Sequence, residues 1–121
     1  MDTDVFEQFT EQLHRYVRER LIPAEAQVIA DDRIPEDILK EMREMGLFGL
    51  SVPEEFGGAG LNMTQYARVV NIMAYAAPAY RSIFSINVGM FNSAIKNGGT
   101  DAQKAEWWPR IANGAIACFG L

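Results

Sequence analysis

The feature that most constrains the fold is a glycine-rich segment, residues 45–61, in which an apolar run leads into a loop with three glycines. Gly46 follows a helical apolar pattern, at the position where glycine commonly ends a helix in the left-handed conformation. Residues 47–52 are too apolar for a solvated loop, and Pro53 favours an extended backbone at the residue before it. The segment is therefore predicted to be a buried, extended crossing between two layers of helices.

The glycines of this loop have two interpretations. Gly57, Gly58 and Gly60 could let the backbone approach a ligand closely, or they could simply let it turn beside a neighbouring helix. Their spacing matches neither the dinucleotide-binding pattern nor the P-loop pattern, and no clear strand precedes them. A structural role is therefore favoured over direct contact with a ligand.

The first half of the chain has the periodicity of amphipathic helices. Apolar residues recur every three or four positions over residues 5–21, and Pro23 is predicted to end that helix and begin a short one. Val28 and Ile29 are expected to face inward on the short helix. A third helix is predicted between Pro35 and the glycine-rich segment.

The second half is more apolar. Residues 66–77 are almost wholly apolar and predict a helix buried on most sides, and a second apolar helix spans 80–96. A capping-box-like pattern at Asn62 and Gln65 precedes the first of these helices, and a capping box at Thr100 opens a further helix. Residues 115–121 have strand character. The expected fold is all-α, a multi-helix up-and-down or orthogonal bundle over residues 1–114, with a short strand-like C-terminal tail.

Composition excludes several classes of protein. The net charge of −5, from 11 basic and 16 acidic residues, argues against nucleic acid as a partner. The single cysteine excludes an internal disulfide, and the spacing of potential ligands predicts no metal site. His14 has no catalytic triad around it, so a surface position is expected. No apolar run is long enough to cross a membrane, the N-terminus lacks a targeting pattern, and a cytoplasmic protein is predicted.

Two motifs carry a resemblance to a known family. The first is GLFGLSVPEEFGGAGL at residues 46–61. The second comprises GTDAQK at 99–104, WPRIANG at 108–114 and ACFGL at 117–121. In this order and separation they resemble the signatures of the acyl-CoA dehydrogenases, FAD enzymes that oxidise acyl-CoA thioesters. The resemblance covers residues 6–121 and implies the N-terminal helical domain of such an enzyme, walling the acyl pocket.

The resemblance also implies where the chemistry lies. Phe119 and Leu121 match positions that lie against the flavin, so residues 115–121 would begin the middle β-domain. The glutamate that removes the α-proton belongs to a C-terminal bundle beyond residue 121, and no catalytic residue is expected within this chain. The chain alone is therefore expected to be inactive and to lack most of the FAD site.

The helix from Tyr80 aligns with the family helix that lines the acyl chain. On it Ser82, Ile86 and Met90 recur at four-residue spacing, and they are predicted to line the pocket. The alternative, that they are plain core, is left open.

A subgroup resemblance concerns Arg81, Ser82 and Ser85. This set resembles the glutaryl-CoA dehydrogenase branch, in which Arg and Ser at these positions receive the distal carboxylate of the substrate. The glutamate of that branch is replaced here by Ala74, and branches acting on monocarboxylates also carry Arg-Ser. Specificity for a dicarboxylate is therefore the minority hypothesis.

The resemblance implies an acyl-CoA substrate, a homo-oligomer (dimer or tetramer), and an electron-transfer flavoprotein as acceptor. Two other hypotheses stay open. A flavin monooxygenase or acyl-CoA oxidase could use the same scaffold. The chain could also be a stand-alone helical interaction or dimerisation module that binds no flavin and pairs through its apolar helices.

Overall fold

A computed structural model describes residues 1–120, and Leu121 lies outside the described residues. Every regular element within residues 1–120 is helical, as predicted. The α-helices are α1 (Thr3–Tyr16), α2 (Ile22–Asp31), α3 (Glu36–Glu44), α4 (Met63–Met73), α5 (Pro78–Ser85), α6 (Asn92–Gly98) and α7 (Asp101–Ala112). Two π-helical segments, Val17–Leu21 and Ile86–Phe91, join α1 to α2 and α5 to α6.

The prediction that Pro23 ends the first helix is wrong. Helical geometry continues from α1 through the first π segment into α2, and the Ile22 N–H donates to the Val17 carbonyl five residues back. Proline has no backbone N–H to donate, and its ring crowds the carbonyl in the preceding turn of the helix. That preceding turn is the π segment, which is wider than an α-helical turn and can accommodate the ring. The continuous helix also determines which side chains face the core. Val28 is buried with 6% exposure, whereas Ile29 is 76% exposed, so its predicted inward position is also wrong.

The glycine-rich segment is buried, as predicted, but it is not extended. It forms two 3-10 turns, Leu47–Gly49 and Glu54–Phe56. Gly46 has φ +74°, the left-handed conformation expected at the end of α3, and its N–H donates to the Arg43 carbonyl at 2.9 Å. The turns let backbone N–H and carbonyl groups of the segment form hydrogen bonds with each other. The apolar side chains can therefore enter the core without leaving buried backbone groups unpaired.

Two hydrophobic cores hold the elements together. The larger core lies between α1, α3, α4 and α5, with the first 3-10 turn at its centre. Leu13, Phe48 and Tyr80 are among its fully buried side chains. The smaller core contains Trp108 and Ile111 of α7, packed against the second 3-10 turn and α6. The crossing therefore joins the two cores.

Helix α4 is less buried than predicted. Its capping box at Asn62 is present, as is that of α7 at Thr100. Val69 and Met73 are fully buried against α1 and α5, but Tyr75 just after the helix is 72% exposed. Within residues 1–120 only one face of α4 has a partner, so its other apolar residues lie at the surface.

Residues 115–120 form a tail without regular secondary structure. A strand is defined by hydrogen bonds to a neighbouring strand, and no such neighbour occurs within residues 1–120. The expected strand character is therefore not realised as a strand among the described residues.

Candidate functional site

The five predicted substrate residues lie on the continuous helix formed by α5, the second π segment and α6. Arg81, Ser82 and Ser85 are on α5, and Ile86 and Met90 are in the π segment. Ser82 and Met90 are exposed, the latter to 56%, and the other three are half-buried. The Ser85 hydroxyl donates to the Ser82 carbonyl at 3.3 Å. These five residues form a stripe that the rest of residues 1–120 covers only in part.

The π segment determines which residues face inward on this helix. The Asn92 N–H donates to the Asn87 carbonyl five residues back, which widens one turn. As a result Asn87 and Val88 are buried while Met90 is exposed. Such insertions are frequent at functional sites because they direct individual side chains away from the regular helical phase.

A groove of about 340 Å³ lies beside this helix, where the helix faces the start of α4. Its lining residues include Leu61, Tyr66, Gly89, Ser93 and Lys96. None of the five predicted substrate residues lines it, so sequence reasoning missed the groove. It forms only where the glycine-rich segment, the start of α4, the second π segment and α6 come together, and no local sequence pattern identifies its residues.

Arg81 connects the predicted residues to the groove. Burial raises the pKa of the Tyr66 phenol, and the positive charge of Arg81 nearby partly offsets that rise. Among residues 1–120, Arg81 takes part in none of the ion pairs. A half-buried guanidinium with no carboxylate in the described chain can pair with an anionic group of a ligand.

Three residues that line the groove, Ser51, Val88 and Asn92, take part in a network of buried hydrogen bonds. The Asn92 amide donates to the Ser51 hydroxyl at 2.8 Å and to its carbonyl at 3.1 Å. The Trp108 indole donates to the Asn92 amide oxygen at 2.6 Å, and the Ser51 hydroxyl donates to the Val88 carbonyl at 2.9 Å. The network joins the glycine-rich segment, α6 and α7 at one point.

A second buried amide holds the tail. Asn87, with 0% exposure, donates to the Ala115 carbonyl at 2.7 Å and accepts from the Ala117 N–H at 2.7 Å. In the sequence, Asn87 is only one of several polar residues that interrupt an apolar helix. Its partners lie 28 and 30 residues away in sequence, so no local signal could have found them.

The other candidate residues form no site among residues 1–120. His14 is exposed on α1, as expected for a surface residue. Within residues 1–120 no group of three or more His, Cys, Asp or Glu side chains could hold a metal ion. No described helix is long and apolar enough to span a membrane.

A family model for the acyl-CoA dehydrogenase N-terminal domain matches residues 3–115 of the chain. This chain belongs to the acyl-CoA dehydrogenase family. It is 39% identical over 113 residues to (2S)-methylsuccinyl-CoA dehydrogenase of Cereibacter sphaeroides, covering 91% of this chain and 20% of that protein. It is 40% identical over 95 residues to the mitochondrial very long-chain specific enzyme of Rattus norvegicus, covering 74% of this chain and 14% of that protein.

The acyl-CoA dehydrogenase fold is also found in solved structures. A chain in a structure of the electron transferring flavoprotein of Acidaminococcus fermentans superimposes with a TM-score of 0.80 at 25% identity. The match covers 94% of this chain and 31% of that one. The chain therefore spans less than a third of the relatives and the structure it matches.

Acyl-CoA dehydrogenases are FAD enzymes, so the predicted flavin-facing residues can be tested for fit. Phe119 lies on the tail with 54% exposure, and a Cβ added at Gly120 would meet no atom within 4 Å. An exposed aromatic ring beside open backbone suits the edge of a planar ring system. The other predicted residue, Leu121, lies outside the described residues. The exposed ring of Phe119 is available to such a group, and contact of the tail with a flavin stays a prediction.

Proposed function

We propose that this chain is the N-terminal helical part of an FAD-dependent acyl-CoA dehydrogenase and forms one wall of its acyl pocket. The observation that carries the proposal is the family match over residues 3–115. Within the stripe, Ser82 and Met90 are exposed and Ile86 is half-buried, which supports the pocket wall, because an acyl chain needs an apolar surface not already used by the core. Residues 1–114 form the helical domain in this proposal, and 115–121 begin the next one.

The role of the chain in the reaction is to bind and orient. When bound, FAD would supply the hydride acceptor for the Cβ of the acyl group, and a base outside this chain would take the α-proton. Ile86 and Met90 would contact the acyl chain and exclude water from it. Phe119 and Leu121 would lie against the flavin. Alone, the chain would be inactive and hold no FAD.

The test uses the product of the complete open reading frame that encodes this chain. We expect the purified product to contain FAD and to lose its visible flavin absorbance when an acyl-CoA is added without oxygen. Ile86→Asn should weaken acyl-CoA binding by about tenfold, the effect of losing one buried apolar side chain, with unchanged flavin content. Ile29→Asn, on an exposed position of α2, is the matched control and should leave binding unaltered.

A second candidate specificity concerns dicarboxylic acyl groups. We propose as the minority hypothesis that Arg81, with Ser82 and Ser85, receives a distal carboxylate, as in the glutaryl-CoA branch. The half-buried Arg81 without a partner in residues 1–120 supports it, and one relative is named for methylsuccinyl-CoA, a thioester of a dicarboxylic acid. Ala74, where that branch has glutamate, argues against it.

Turnover of glutaryl-CoA and butyryl-CoA by Arg81→Ala separates the two specificities. For a dicarboxylate enzyme, kcat/KM for glutaryl-CoA should fall at least tenfold more than kcat/KM for butyryl-CoA, because a charged hydrogen bond is lost. Arg15 is an exposed arginine on α1, and Arg15→Ala should change kcat/KM for both substrates only slightly and to the same extent. Equal loss of both activities in Arg81→Ala would remove the hypothesis.

The proposed partners follow from the same function. We propose an electron-transfer flavoprotein as acceptor, a homodimer or homotetramer as the assembly, and the cytoplasm as the compartment. The exposed free thiol of Cys118 is compatible with a reducing compartment. Flavin reoxidation with and without an electron-transfer flavoprotein, sedimentation velocity and cell fractionation test these three statements. Rapid reoxidation by oxygen alone would favour an oxidase.

The alternative is a stand-alone helical interaction module without flavin. Exposed apolar residues on several elements, among them Tyr75, Trp107 and Ile116, favour a protein partner of some kind. A complete product that binds no FAD and no acyl-CoA but forms a stable dimer would establish the module and contradict the dehydrogenase.

A further inference from the structure

The amide of Asn87 imitates one residue of a parallel β-strand. In a parallel ladder, a residue donates its N–H to the carbonyl of one neighbour residue and accepts from the N–H two positions further on. Asn87 makes this pair of bonds with its side chain, to the Ala115 carbonyl and the Ala117 N–H. The tail is therefore held in an extended conformation without a strand beside it.

The second π segment makes this contact possible. Asn87 lies within it and is fully buried, and both of its amide hydrogen-bonding partners come from the tail. The same π segment contains Ile86 and Met90, which belong to the partly exposed stripe. One turn of helix thus presents the stripe on one side and holds the tail on the other.

We propose that Asn87 is the positioning residue that sets where the tail, and with it Phe119, lies relative to the acyl-binding stripe. Phe119 follows Ala117 by only two residues, so the clamp, which consists of the two Asn87 hydrogen bonds to the tail, limits where the Phe119 ring can lie. The flavin part of this inference rests on the proposed function, because only that function brings a flavin to Phe119. The clamp itself rests on the two hydrogen bonds.

The clamp is tested first in the 121-residue chain by amide hydrogen exchange. In Asn87→Leu, the Ala117 N–H should exchange about tenfold faster relative to the backbone amide of Leu13, a fully buried residue of α1, as expected when a buried hydrogen bond is lost. Asn92→Leu is the matched control. It removes a buried amide of the same helix that bonds Ser51 and Trp108 instead of the tail, so the ratio should be unaltered.

Asn87→Asp adds a readout that a loss of packing would not produce. The ionised carboxylate still accepts from the Ala117 N–H but faces the Ala115 carbonyl without a proton to donate. The protonated acid can donate to that carbonyl. Protection of the Ala117 amide should therefore be reduced at neutral pH and recover as the carboxyl is protonated. An unchanged Ala117 exchange in Asn87→Leu would overturn the inference.

The positioning role is tested in the product of the complete open reading frame. Asn87→Leu should shift the midpoint potential and the visible circular dichroism of the bound flavin, and Asn92→Leu should shift them less. An unsubstituted product without flavin would overturn the proposed function. The hydrogen-exchange result would still show whether Asn87 holds the tail. A flavin signal identical in Asn87→Leu and the unsubstituted product would overturn the positioning role alone.

Discussion

At the residue scale, each buried polar side chain described here has a partner. Within residues 1–120 no buried side-chain nitrogen or oxygen is left without a hydrogen bond. Asn87 and Asn92 show why this matters, since an unpaired buried amide costs free energy that a small domain cannot easily spare. Both residues join segments that are distant in sequence, so their roles are tertiary rather than local.

Gly58 is a residue whose side chain is excluded by close backbone packing. A Cβ added there would lie against the carbonyl and Cβ of Val52, which the turn holds in place. We expect Gly58→Ala to lower the free energy of unfolding by about 1–3 kcal/mol, the usual cost of overpacking. The midpoint of urea unfolding measures this, provided that the denaturant slope stays the same.

The control for that substitution is Gly89→Ala. A Cβ at Gly89 meets no atom within 4 Å, and its φ is not positive. Because alanine favours helix over glycine, the free energy of unfolding should rise by up to about 1 kcal/mol. Equal destabilisation by the two substitutions would contradict the close contact between Gly58 and Val52.

At the scale of elements, the two π segments are joined to the rest of the fold by side chains. Tyr80 of α5 is fully buried, and its hydroxyl donates to the Leu21 carbonyl at the end of the first π segment at 3.0 Å. Glu25 of α2 accepts from the Ala77 N–H just before α5 at 2.7 Å. These two bonds fix the α5 end of the helix that carries Ser82, Ile86 and Met90 against the first long helix.

Tyr80→Phe tests this connection. The substitution keeps the ring but leaves the Leu21 carbonyl without its hydroxyl donor. We expect a loss of about 1–2 kcal/mol in the free energy of unfolding, measured by urea denaturation. Tyr75→Phe removes a hydroxyl from a tyrosine that is 72% exposed and should change the value by less than about 0.5 kcal/mol. Indistinguishable midpoints would show that the buried hydroxyl contributes nothing to stability.

At the scale of the whole molecule, charge pairs on the surface join helices across the larger core. Arg68 of α4 donates to both carboxylate oxygens of Glu7 on α1, and its guanidinium also lies 5.1 Å from the centre of the Phe6 ring. The hydrogen bond from Arg68 lowers the pKa of Glu7 below its ordinary value of 4.5. This pair therefore makes the stability of the folded chain depend on pH.

The sign of that dependence follows from the lowered pKa. Ionised Glu7 stabilises the folded chain fully above about pH 4.5, and the contribution is lost as the pH falls through the lower folded-state pKa. Glu7→Gln should therefore be less stable than the unsubstituted chain at pH 7, and the two should converge in acid. Thermal unfolding at several pH values and low salt measures this difference.

Glu11→Gln is the matched control for the pH dependence. Glu11 is exposed on the same helix and takes part in none of the ion pairs found among residues 1–120. Glu11→Gln should change the stability of the folded chain only slightly, and by the same amount at every pH. A Glu7→Gln chain that differs from the unsubstituted chain by the same amount at pH 7 and in acid would contradict the pairing.

Much of the fold could be predicted from local patterns. The capping boxes at Asn62 and Thr100 and the left-handed Gly46 follow from chemistry within a few residues, and the structure has all three. Pro23 was misjudged because proline usually ends a helix, whereas a π segment accommodates it here. The outward position of Ile29 follows from the same continuous helix.

The candidate site could be predicted only in part. The four-residue spacing of Ser82, Ile86 and Met90 predicted that they lie along one helix, and in the structure their side chains are exposed or half-buried. Whether it contacts an acyl chain stays a prediction. The groove beside Tyr66 and the clamp at Asn87 had no local pattern, because their members come from elements far apart in the chain.

The sequence by itself determined the family, the helical class and most helix ends, because periodicity, capping and two long motifs are local properties of the chain. Only the tertiary structure decided which faces are covered, how the glycine-rich segment turns, and that Asn87 holds the tail. Burial and hydrogen bonding between distant segments depend on how the elements pack, and packing is decided by all of them together.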